Sequence, residues 1–291
     1  MISLKSNNHI IASLWFISHI IIGVINDAVS KKLGSNIPSY EIVFLRFLFS
    51  SITLLPFLLT KSSFKTPYHL IHLGRGFLLF SAITIWCICL KYVPMVMVTL
   101  AGFTIPLFFL ILAYLFLNEN IGKRWIISLL GFTGIVIALD IHNINFNPQT
   151  LLLILGAIAF AGLDVINKKY VTKESTLNML FYSSLYTMLF GLILILYKGW
   201  TMPSLNTVMY SLFLGIGANL LLFALLKSFS LVEASSLLPL RYTELLISAL
   251  FGYLFFNETP NNSIYYGAAV IIPCNMLLMY LENKNLVNKL E

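Results

Sequence analysis

Ten apolar segments, joined by short polar connections, constrain this chain more than any other feature of its sequence. Most hold roughly 20 residues, the length at which an α-helix crosses the hydrocarbon core of a bilayer. Helices are the expected spanning element because a helix satisfies its own backbone hydrogen bonds in lipid. The predicted segments are His9–Leu33, Tyr40–Thr60, His69–Lys91, Pro94–Leu117, Arg124–Asp140, Pro148–Tyr170, Thr176–Tyr197, Leu205–Ser230, Leu231–Phe256 and Ser263–Glu282. The sequence thus predicts an all-α membrane protein with ten transmembrane helices.

Composition excludes the usual soluble classes. Of the 291 residues, 59% are hydrophobic and 10% are charged, and the mean hydropathy is +0.90. A soluble domain carries about 25% charged residues, so a soluble enzyme, a secreted disulfide scaffold and a disordered chain are all excluded. The three cysteines, Cys87, Cys89 and Cys274, lie inside apolar segments, where packing is favoured over a metal or disulfide role.

The net charge of +7 follows from where the basic residues lie along the chain. With the N-terminus inside, twelve basic residues fall on the inner side and four on the outer side. The inner set is Lys5, Lys61, Lys65, Arg75, Lys123, Arg124, Lys168, Lys169, Lys173, Lys227, Lys284 and Lys289, and the outer set is Lys31, Lys32, Lys91 and Lys198. Because basic residues favour the cytoplasm, we expect an inner-membrane protein with both termini cytoplasmic. Outside the spans, the sequence has no basic stripe of the kind that would indicate nucleic-acid binding.

Two motifs recur about half a chain apart. Asp27-Ala-Val-Ser-Lys-Lys, at the end of the first segment, resembles Asp164-Val-Ile-Asn-Lys-Lys at the end of the sixth. Tyr114-Leu-Phe-Leu-Asn-Glu resembles Tyr253-Leu-Phe-Phe-Asn-Glu at the ends of the fourth and ninth. The chain therefore divides into repeats over residues 1–142 and 143–291. Each repeat has an odd number of helices, so the second inserts upside down, and inverted repeats are typical of secondary transporters.

These features resemble the drug/metabolite transporter superfamily, in its EamA-like branch. Within that branch, several runs resemble bacterial S-adenosylmethionine uptake transporters. The runs begin at Asn26 (Asn-Asp-Ala-Val-Ser-Lys-Lys), Glu41 (Glu-Ile-Val-Phe-Leu-Arg-Phe), Phe181 (Phe-Tyr-Ser), Arg241 (Arg-Tyr-Thr-Glu-Leu-Leu) and Gly267 (Gly-Ala-Ala-Val-Ile-Ile-Pro). Many relatives have Pro after the Glu of the ninth helix, where this chain has Leu245, whereas Pro106 is present in the first half.

The resemblance implies secondary-active uptake of S-adenosylmethionine, in exchange for S-adenosylhomocysteine, by alternating access. The alternative within the branch is export of amino acids, drugs or other small metabolites. A membrane-bound transferase is a third interpretation, but the chain has no P-loop, no His-Glu-x-x-His and no Gly-x-Ser-x-Gly. We therefore expect no enzyme activity, no cofactor and no metal ion. The expected partners are a small-molecule substrate and the lipid bilayer, and a homodimer is compatible with the sequence.

The ninth segment carries the strongest candidate site. It is predicted to begin with a capping box, Ser230-Leu-Val-Glu233. Arg241, Tyr242 and Glu244 then lie roughly 14–18 Å along the helix, near the bilayer midplane. A charge at the centre of a span costs about 2.5–3.5 kcal/mol, so such residues usually face a bundle interior or a water-filled path. Either Arg241 binds a carboxylate and Glu244 binds an ammonium or sulfonium group, or the two form a structural ion pair.

Three further charged residues are candidates. Arg46 lies about 9 Å into the second helix, where it faces the cavity or binds a carbonyl of a neighbouring helix. Asp27 and Asp164 occupy equivalent repeat positions, each with a Lys four residues later, Lys31 and Lys168. They are interpreted either as i,i+4 interfacial pairs or as gating pairs. Arg75, by contrast, is interpreted as a topology anchor at the cytoplasmic entry.

Aromatic and amide side chains complete the predicted site. A sulfonium or an adenine ring is stabilised by aromatic contacts worth about 0.5–2 kcal/mol each. The residues predicted to face the cavity are Trp15, Trp86, Tyr92, Phe103 and Tyr182, with Tyr242. Each has packing as its alternative. Asn219 is predicted either to line the same cavity or to form an interhelical hydrogen bond.

Overall fold

The computed structural model describes residues 2–34, 37–61, 65–92, 101–119, 122, 124–138, 148–256 and 262–288. Across these ranges the regular structure is helical, without strands, which confirms the predicted all-α class. The predicted start of the fourth segment at Pro94 lies outside the described residues, as does the second repeat's Glu258. The side chains of Lys31 and Tyr92 are likewise outside what the structure describes.

Ten α-helices run through the described residues. They are α1 (Ile2–Gly34), α2 (Ser39–Lys61), α3 (His69–Tyr92), α4 (Ile105–Leu117), α5 (Arg124–Ala138), α6 (Pro148–Tyr170), α7 (Thr176–Lys198), α8 (Leu205–Leu231), α9 (Thr243–Phe256) and α10 (Asn262–Asn288). Five of them, α1, α2, α3, α7 and α8, contain stretches long and apolar enough to cross a bilayer, by length and composition.

The ninth predicted segment is broken. Two short 3₁₀-helices, Ala234–Ser236 and Leu238–Tyr242, lie between α8 and α9. Pro239 explains the break, because it has no N–H to continue an α-helix and stands in the first turn of the second 3₁₀-helix. Arg241 therefore lies in a 3₁₀-helix and Glu244 in the first turn of α9. The prediction that both lie within one continuous α-helix was wrong.

The predicted capping box does not form either. Helix α8 continues through Ser230, whose hydroxyl donates to the carbonyl of Lys227 at 2.8 Å. Glu233 instead pairs with Arg124 of α5. A capping box needs its first residue at a helix start, and Ser230 lies in the last turn of a helix.

The corresponding segment of the first half is interrupted at the same place. Phe103 and Thr104 form a turn before α4 begins. Thr104 and Thr243 are 139 residues apart, the offset of the second repeated motif, and each hydroxyl donates to the carbonyl three residues earlier at 2.6 Å. The residues just before them, Phe103 and Tyr242, meet ring to ring with centroids 6.1 Å apart. The two breaks thus lie side by side in the bundle.

Packing joins the first five helices to the last five. The most extensive contacts pair α1 with α8, α3 with α6, α2 with α7 and α8, α3 with α7, α4 with α6, and α5 with α10. If each helix is exchanged for its counterpart five positions along the chain, the α1–α8 contact becomes α6–α3 and the α2–α8 contact becomes α7–α3. These contacts are therefore symmetric under exchange of the two halves, whereas the α4–α6 contact has a much less extensive counterpart in α9–α1.

Candidate functional site

A cavity lies between the helices of the two halves. Its volume is about 200 Å³, enough for roughly a dozen water molecules at about 15 Å³ each. Residues from α1, α2, α3, α6, α7, α8 and the segments around both breaks form its wall. The charged residues that line it are Asp27, Arg46, Arg75, Asp164, Arg241 and Glu244. It therefore gathers charged residues from both halves in one place.

Arg241 stands between two carboxylates of this wall. One guanidinium nitrogen, Nη1, lies 3.7 Å from Oδ2 of Asp164, and Nε lies 3.9 Å from Oε2 of Glu244. Glu244 is in the first turn of α9, where the helix dipole favours negative charge. The structure therefore joins Arg241 and Glu244, as their three-residue spacing predicts, and adds Asp164.

The interfacial pair predicted between Asp164 and Lys168 was wrong. The ammonium group of Lys168 donates instead to the carbonyls of Phe229 and Val232, at 2.7 and 2.6 Å. Those carbonyls belong to the end of α8, where the last carbonyls of a helix lack intrahelical donors. Lys168 thus caps α8, and Asp164 is left for Arg241.

Asp27 and Arg46 extend the charged cluster towards α1 and α2. Asp27 interacts electrostatically with Arg46, Arg241 and Glu244. The Arg46 guanidinium lies 5.6 Å from the ring centroid of Phe47, and its buried Nε has no hydrogen-bond partner among the described residues. In total, the cluster holds three carboxylates and two guanidinium groups. The wall also holds Arg75, so its three carboxylates and three guanidinium groups balance, and it offers charges of both signs to a ligand.

Aromatic residues form another part of the wall. Trp86 and Phe103, both predicted to face the cavity, line it together with Phe160. The rings of Trp86 and Phe160 meet edge to face with centroids 5.9 Å apart. Gly102 gives the indole its space, because a Cβ at that position would lie 2.9 Å from the Trp86 ring. The cavity thus combines charged groups with aromatic faces.

Two predicted aromatics lie elsewhere. Trp15 packs edge to face on Phe223, with ring centroids 5.7 Å apart. Tyr182 stacks on His72 at 5.0 Å and lies near the start of α7. Neither lines the cavity in this conformation, and their assignment to the substrate site stays a prediction.

Tyr242 and Asn219 lie behind the cavity wall. Tyr242 is fully buried against Phe103 and against Gly131, where a Cβ would come within 2.4 Å of the tyrosine ring. The Asn219 amide donates to the carbonyl of Ser50 at 2.9 Å and to the hydroxyl of Thr53 at 3.0 Å. Asn219 thus makes the interhelical hydrogen bonds that were one of its two interpretations. A direct role of either residue in binding stays a prediction.

Several polar residues that line the cavity were missed from the sequence. They are His19, Asn26, Ser30, Asn167, Ser183 and Ser184. A spacing signal was available for two of them. Ser30 and Asn167 each lie three residues after the repeated Asp27 and Asp164, and residues three apart share a helix face. Arg75 was interpreted as a topology anchor, but it is fully buried and lines the cavity.

One end of the cavity is closed by hydrogen bonds to the first 3₁₀-helix. The Glu119 carboxylate, which follows α4, accepts from the backbone N–H groups of Ala234 and Ser235 at 3.2 and 3.0 Å. Arg124 pairs with Glu233 at 2.5 Å and donates to the hydroxyl of Ser235 at 2.7 Å. These contacts tie the start of the broken segment to α4 and α5.

A second polar cluster closes the same end near the loop before α7. Glu174 accepts hydrogen bonds from the Thr66 hydroxyl, from the backbone N–H of Ser175 and from the Asn178 amide. Its carboxylate also lies 3.5 Å from Nε2 of His72. Burial acts to raise the pKa of Glu174, but the hydrogen bonds outweigh it, and the pKa lies below its usual value.

Between these clusters, aromatic rings fill the closed end. Phe16, Phe109 and Phe229 are fully buried. The ring centroid of Phe229 lies 6.3 Å from that of Phe16 and 6.2 Å from that of Phe109. At the other end the cavity reaches Ser30 and Cys87, near the ends of α1 and α3. The cavity therefore extends towards one face of the bundle and is sealed from the other.

Comparison with known proteins gives this arrangement a context. The chain is 45% identical over 280 residues to the S-adenosylmethionine uptake transporter of Rickettsia prowazekii, covering 95% of each chain. It is 44% identical over 279 residues to the protein of the same name from Rickettsia bellii, covering 95% of this chain and 96% of that one. The riboflavin transporter of Vibrio cholerae is 30% identical over 281 residues and 94% of each chain.

A solved crystal structure has the same fold, with a TM-score of 0.78 at 17% identity over 94% of this chain and 98% of the other. The model of the EamA-like transporter family matches twice, over residues 10–139 and 148–280. Together these two matches span most of the sequence. The chain belongs to the EamA-like transporter family.

Proposed function

We propose that this protein takes up S-adenosylmethionine across the inner membrane as a secondary transporter, in exchange for S-adenosylhomocysteine. The observation that carries the proposal is the cluster of Asp27, Asp164 and Glu244 with Arg46 and Arg241 on the wall of a single cavity. Relatives that are 44–45% identical over nearly their whole length are named S-adenosylmethionine uptake transporters.

The chemistry of the cargo matches the wall of the cavity. S-adenosylmethionine carries a sulfonium, an α-ammonium and a carboxylate, so its net charge is plus one near neutral pH. The wall of the cavity holds three carboxylates and, with Arg75, three guanidinium groups, so it offers a partner of opposite sign to each of these groups. Trp86, Phe103 and Phe160 offer aromatic faces to the sulfonium and the adenine, with cation–π contacts worth about 0.5–2 kcal/mol each.

The proposed topology is ten transmembrane helices as an inverted repeat, with residues 1–142 and 143–291 as its two halves. The symmetric helix pairing and the adjacent breaks before α4 and α9 support it. The distribution of basic residues favours a cytoplasmic location for both termini. The end sealed by Glu119 and Glu174 then faces inwards, and the cavity reaches towards the outside.

Alternating access follows from this arrangement. Helices broken near the substrate site let one half move against the other around a fixed binding position. Asp164 and Arg241 come from different segments of the second half, and Asp27 comes from the first. Movement between the halves would therefore change the ion contacts of the cluster, which makes Asp27 and Asp164 candidates for gating as well as binding.

A second cargo deserves a direct comparison. The riboflavin transporter of Vibrio cholerae is 30% identical over 94% of each chain. Riboflavin is uncharged and would leave the carboxylates and guanidinium groups of the wall without a charged partner, whereas S-adenosylmethionine carries groups of both signs. The charged groups of the cavity wall therefore favour the sulfonium compound.

The test is uptake of radiolabelled S-adenosylmethionine into proteoliposomes that hold the purified protein, with and without internal S-adenosylhomocysteine. Saturable uptake, accelerated by S-adenosylhomocysteine inside and unaffected by excess riboflavin outside, is expected. Protein-free liposomes provide the background. Uptake no greater than that background would overturn the proposal, and inhibition by riboflavin would shift the assignment to the second cargo.

A further inference from the structure

Arg75 is a fully buried guanidinium group at the sealed end of the cavity. It lies on α3, six residues after the start of that helix at His69, and one face of α3 lines the cavity. Arg75 takes no part in the ion contacts of Arg241 with Asp164 and Glu244. A buried positive charge at this position needs groups that balance it.

The partners of Arg75 within the described chain are all neutral acceptors. Its Nε donates to Oδ1 of Asn167 at 2.9 Å, and its Nη1 lies 3.0 Å from Nδ1 of His72 and 3.2 Å from the carbonyl of Met179. Its Nη2 is buried and has no hydrogen-bond partner there. A carboxylate comes close only through His72, whose other nitrogen faces Glu174 at 3.5 Å.

A second donor beside Arg75 is only weakly engaged. The buried Nδ2 amide of Asn167 faces the carboxylate of Asp164 without a hydrogen bond of ordinary geometry among the described residues, while its Oδ1 holds the guanidinium. Both residues line the cavity. Buried donors left without acceptors are costly, and a buried guanidinium is more costly still. An unpartnered guanidinium nitrogen beside a weakly engaged amide, both on residues that line the cavity, is the arrangement that an anionic group of a ligand would satisfy.

We propose that Arg75 binds the carboxylate of the transported solute through Nη2, with the Asn167 amide as the second donor. This inference rests on the proposed function. It assigns the α-carboxylate to the sealed end of the cavity, farther from the open end than the Arg241 cluster. Arg75 becomes a residue that determines specificity, since it selects amino-acid derivatives over amines.

The spacing on α6 supports this assignment. Asp164 and Asn167 are three residues apart, on one face of α6, and therefore about 4.5 Å apart along the helix axis. Arg241 contacts the first and Arg75 contacts the second. An α-amino acid carries its ammonium and carboxylate on one carbon. The ammonium can therefore face Asp164 while the carboxylate faces Arg75, with the sulfonium and adenosine extending towards Glu244 and Trp86.

The experiment compares two ligands on the same protein. S-adenosylmethionine and its decarboxylated analogue, S-adenosyl-3-methylthiopropylamine, share the sulfonium, the amine and the adenosine, and differ in the carboxylate. Both are tested as competitors of labelled S-adenosylmethionine in proteoliposomes. For the unmodified protein the analogue should compete about 10- to 100-fold more weakly, the range expected for a charge-assisted hydrogen bond. The ratio is independent of how much active protein each sample holds.

Two variants should remove this discrimination. In Arg75→Gln the cation is lost, and in Asn167→Asp an internal carboxylate neutralises Arg75 while its contact with residue 167 is kept. The ratio should fall to within about threefold of one in both. Arg124→Gln is the matched control, because Arg124 pairs with Glu233 at the sealed end and does not line the cavity. Its ratio should equal that of the unmodified protein.

Three outcomes would overturn the inference. The first is equal competition by the two compounds on the unmodified protein, and the second is full discrimination by Arg75→Gln or, should that variant fail to fold, by Asn167→Asp. The third is loss of discrimination in Arg124→Gln, which would make the effect a general consequence of disturbing the sealed end. In all three cases the proposed function stands, whereas absence of uptake by the unmodified protein overturns that function and this inference with it.

Discussion

Neutralising the two carboxylates beside Arg241, singly and together, tests whether they hold a buried cation in the cavity wall. Nitrogen–oxygen distances of 3.7 Å to Asp164 and 3.9 Å to Glu244 correspond to an attraction of about 4 kcal/mol each at an effective dielectric constant of about 20. Removing one carboxylate also removes the cost of burying it. Asp164→Asn or Glu244→Gln alone should therefore cost about 1 kcal/mol of unfolding free energy.

The double variant should behave differently. It leaves the mostly buried Arg241 without either close partner, a situation that costs about 3–5 kcal/mol. The cost of the pair should therefore exceed the sum of the single costs by about 1–3 kcal/mol. Unfolding free energies would be measured by titrating the purified protein with sodium dodecyl sulfate in mixed micelles. In an Arg241→Gln background the excess should vanish. Costs that add to within about 0.5 kcal/mol would refute the reasoning.

Three other expectations concern uptake, packing and pH. Arg241→Ala and Glu244→Ala should each abolish S-adenosylmethionine uptake while the protein still inserts into the membrane, and normal uptake by either would contradict the site assignment. Gly215→Ala should lower the unfolding free energy by about 1–3 kcal/mol, because its Cβ would lie 2.7 Å from a backbone nitrogen of α2, whereas Gly74→Ala, which meets nothing within 4 Å, should not. The unmodified protein should have a higher unfolding free energy than Glu174→Gln near pH 7, and this difference should shrink as the pH falls below about 4. The reason is that folding lowers the pKa of Glu174, so the ionised form is the stabilising one. An advantage that grows on acidification would contradict that sign.

Local rules predicted the long helices and the pairing of Arg241 with Glu244. The helices follow from unbroken apolar runs. The pairing follows from a three-residue spacing, which brings two side chains together in a 3₁₀-helix as it does in an α-helix. Pro239 was a signal for the break in the sequence, but the long apolar run around it resembled one continuous helix.

The partners of Asp164 and Arg75 could not be predicted in the same way. A Lys four residues after Asp164 satisfies the helical pairing rule, yet Lys168 finds a better site on the unpaired carbonyls of α8, which only the tertiary fold brings near. Arg75 resembles a topology anchor because basic residues near a span end usually are. Its burial depends on Asn167 and Met179, which lie about 100 residues away in sequence.

A structure of the protein with bound S-adenosylmethionine tests the central claim most directly, since the claim is that the cargo meets the charged cluster inside this cavity. The account predicts ligand density with the amine or sulfonium within about 4 Å of Asp27, Asp164 or Glu244. Density for the ligand at a site that none of these carboxylates reaches, in a sample that transports it, would contradict the account.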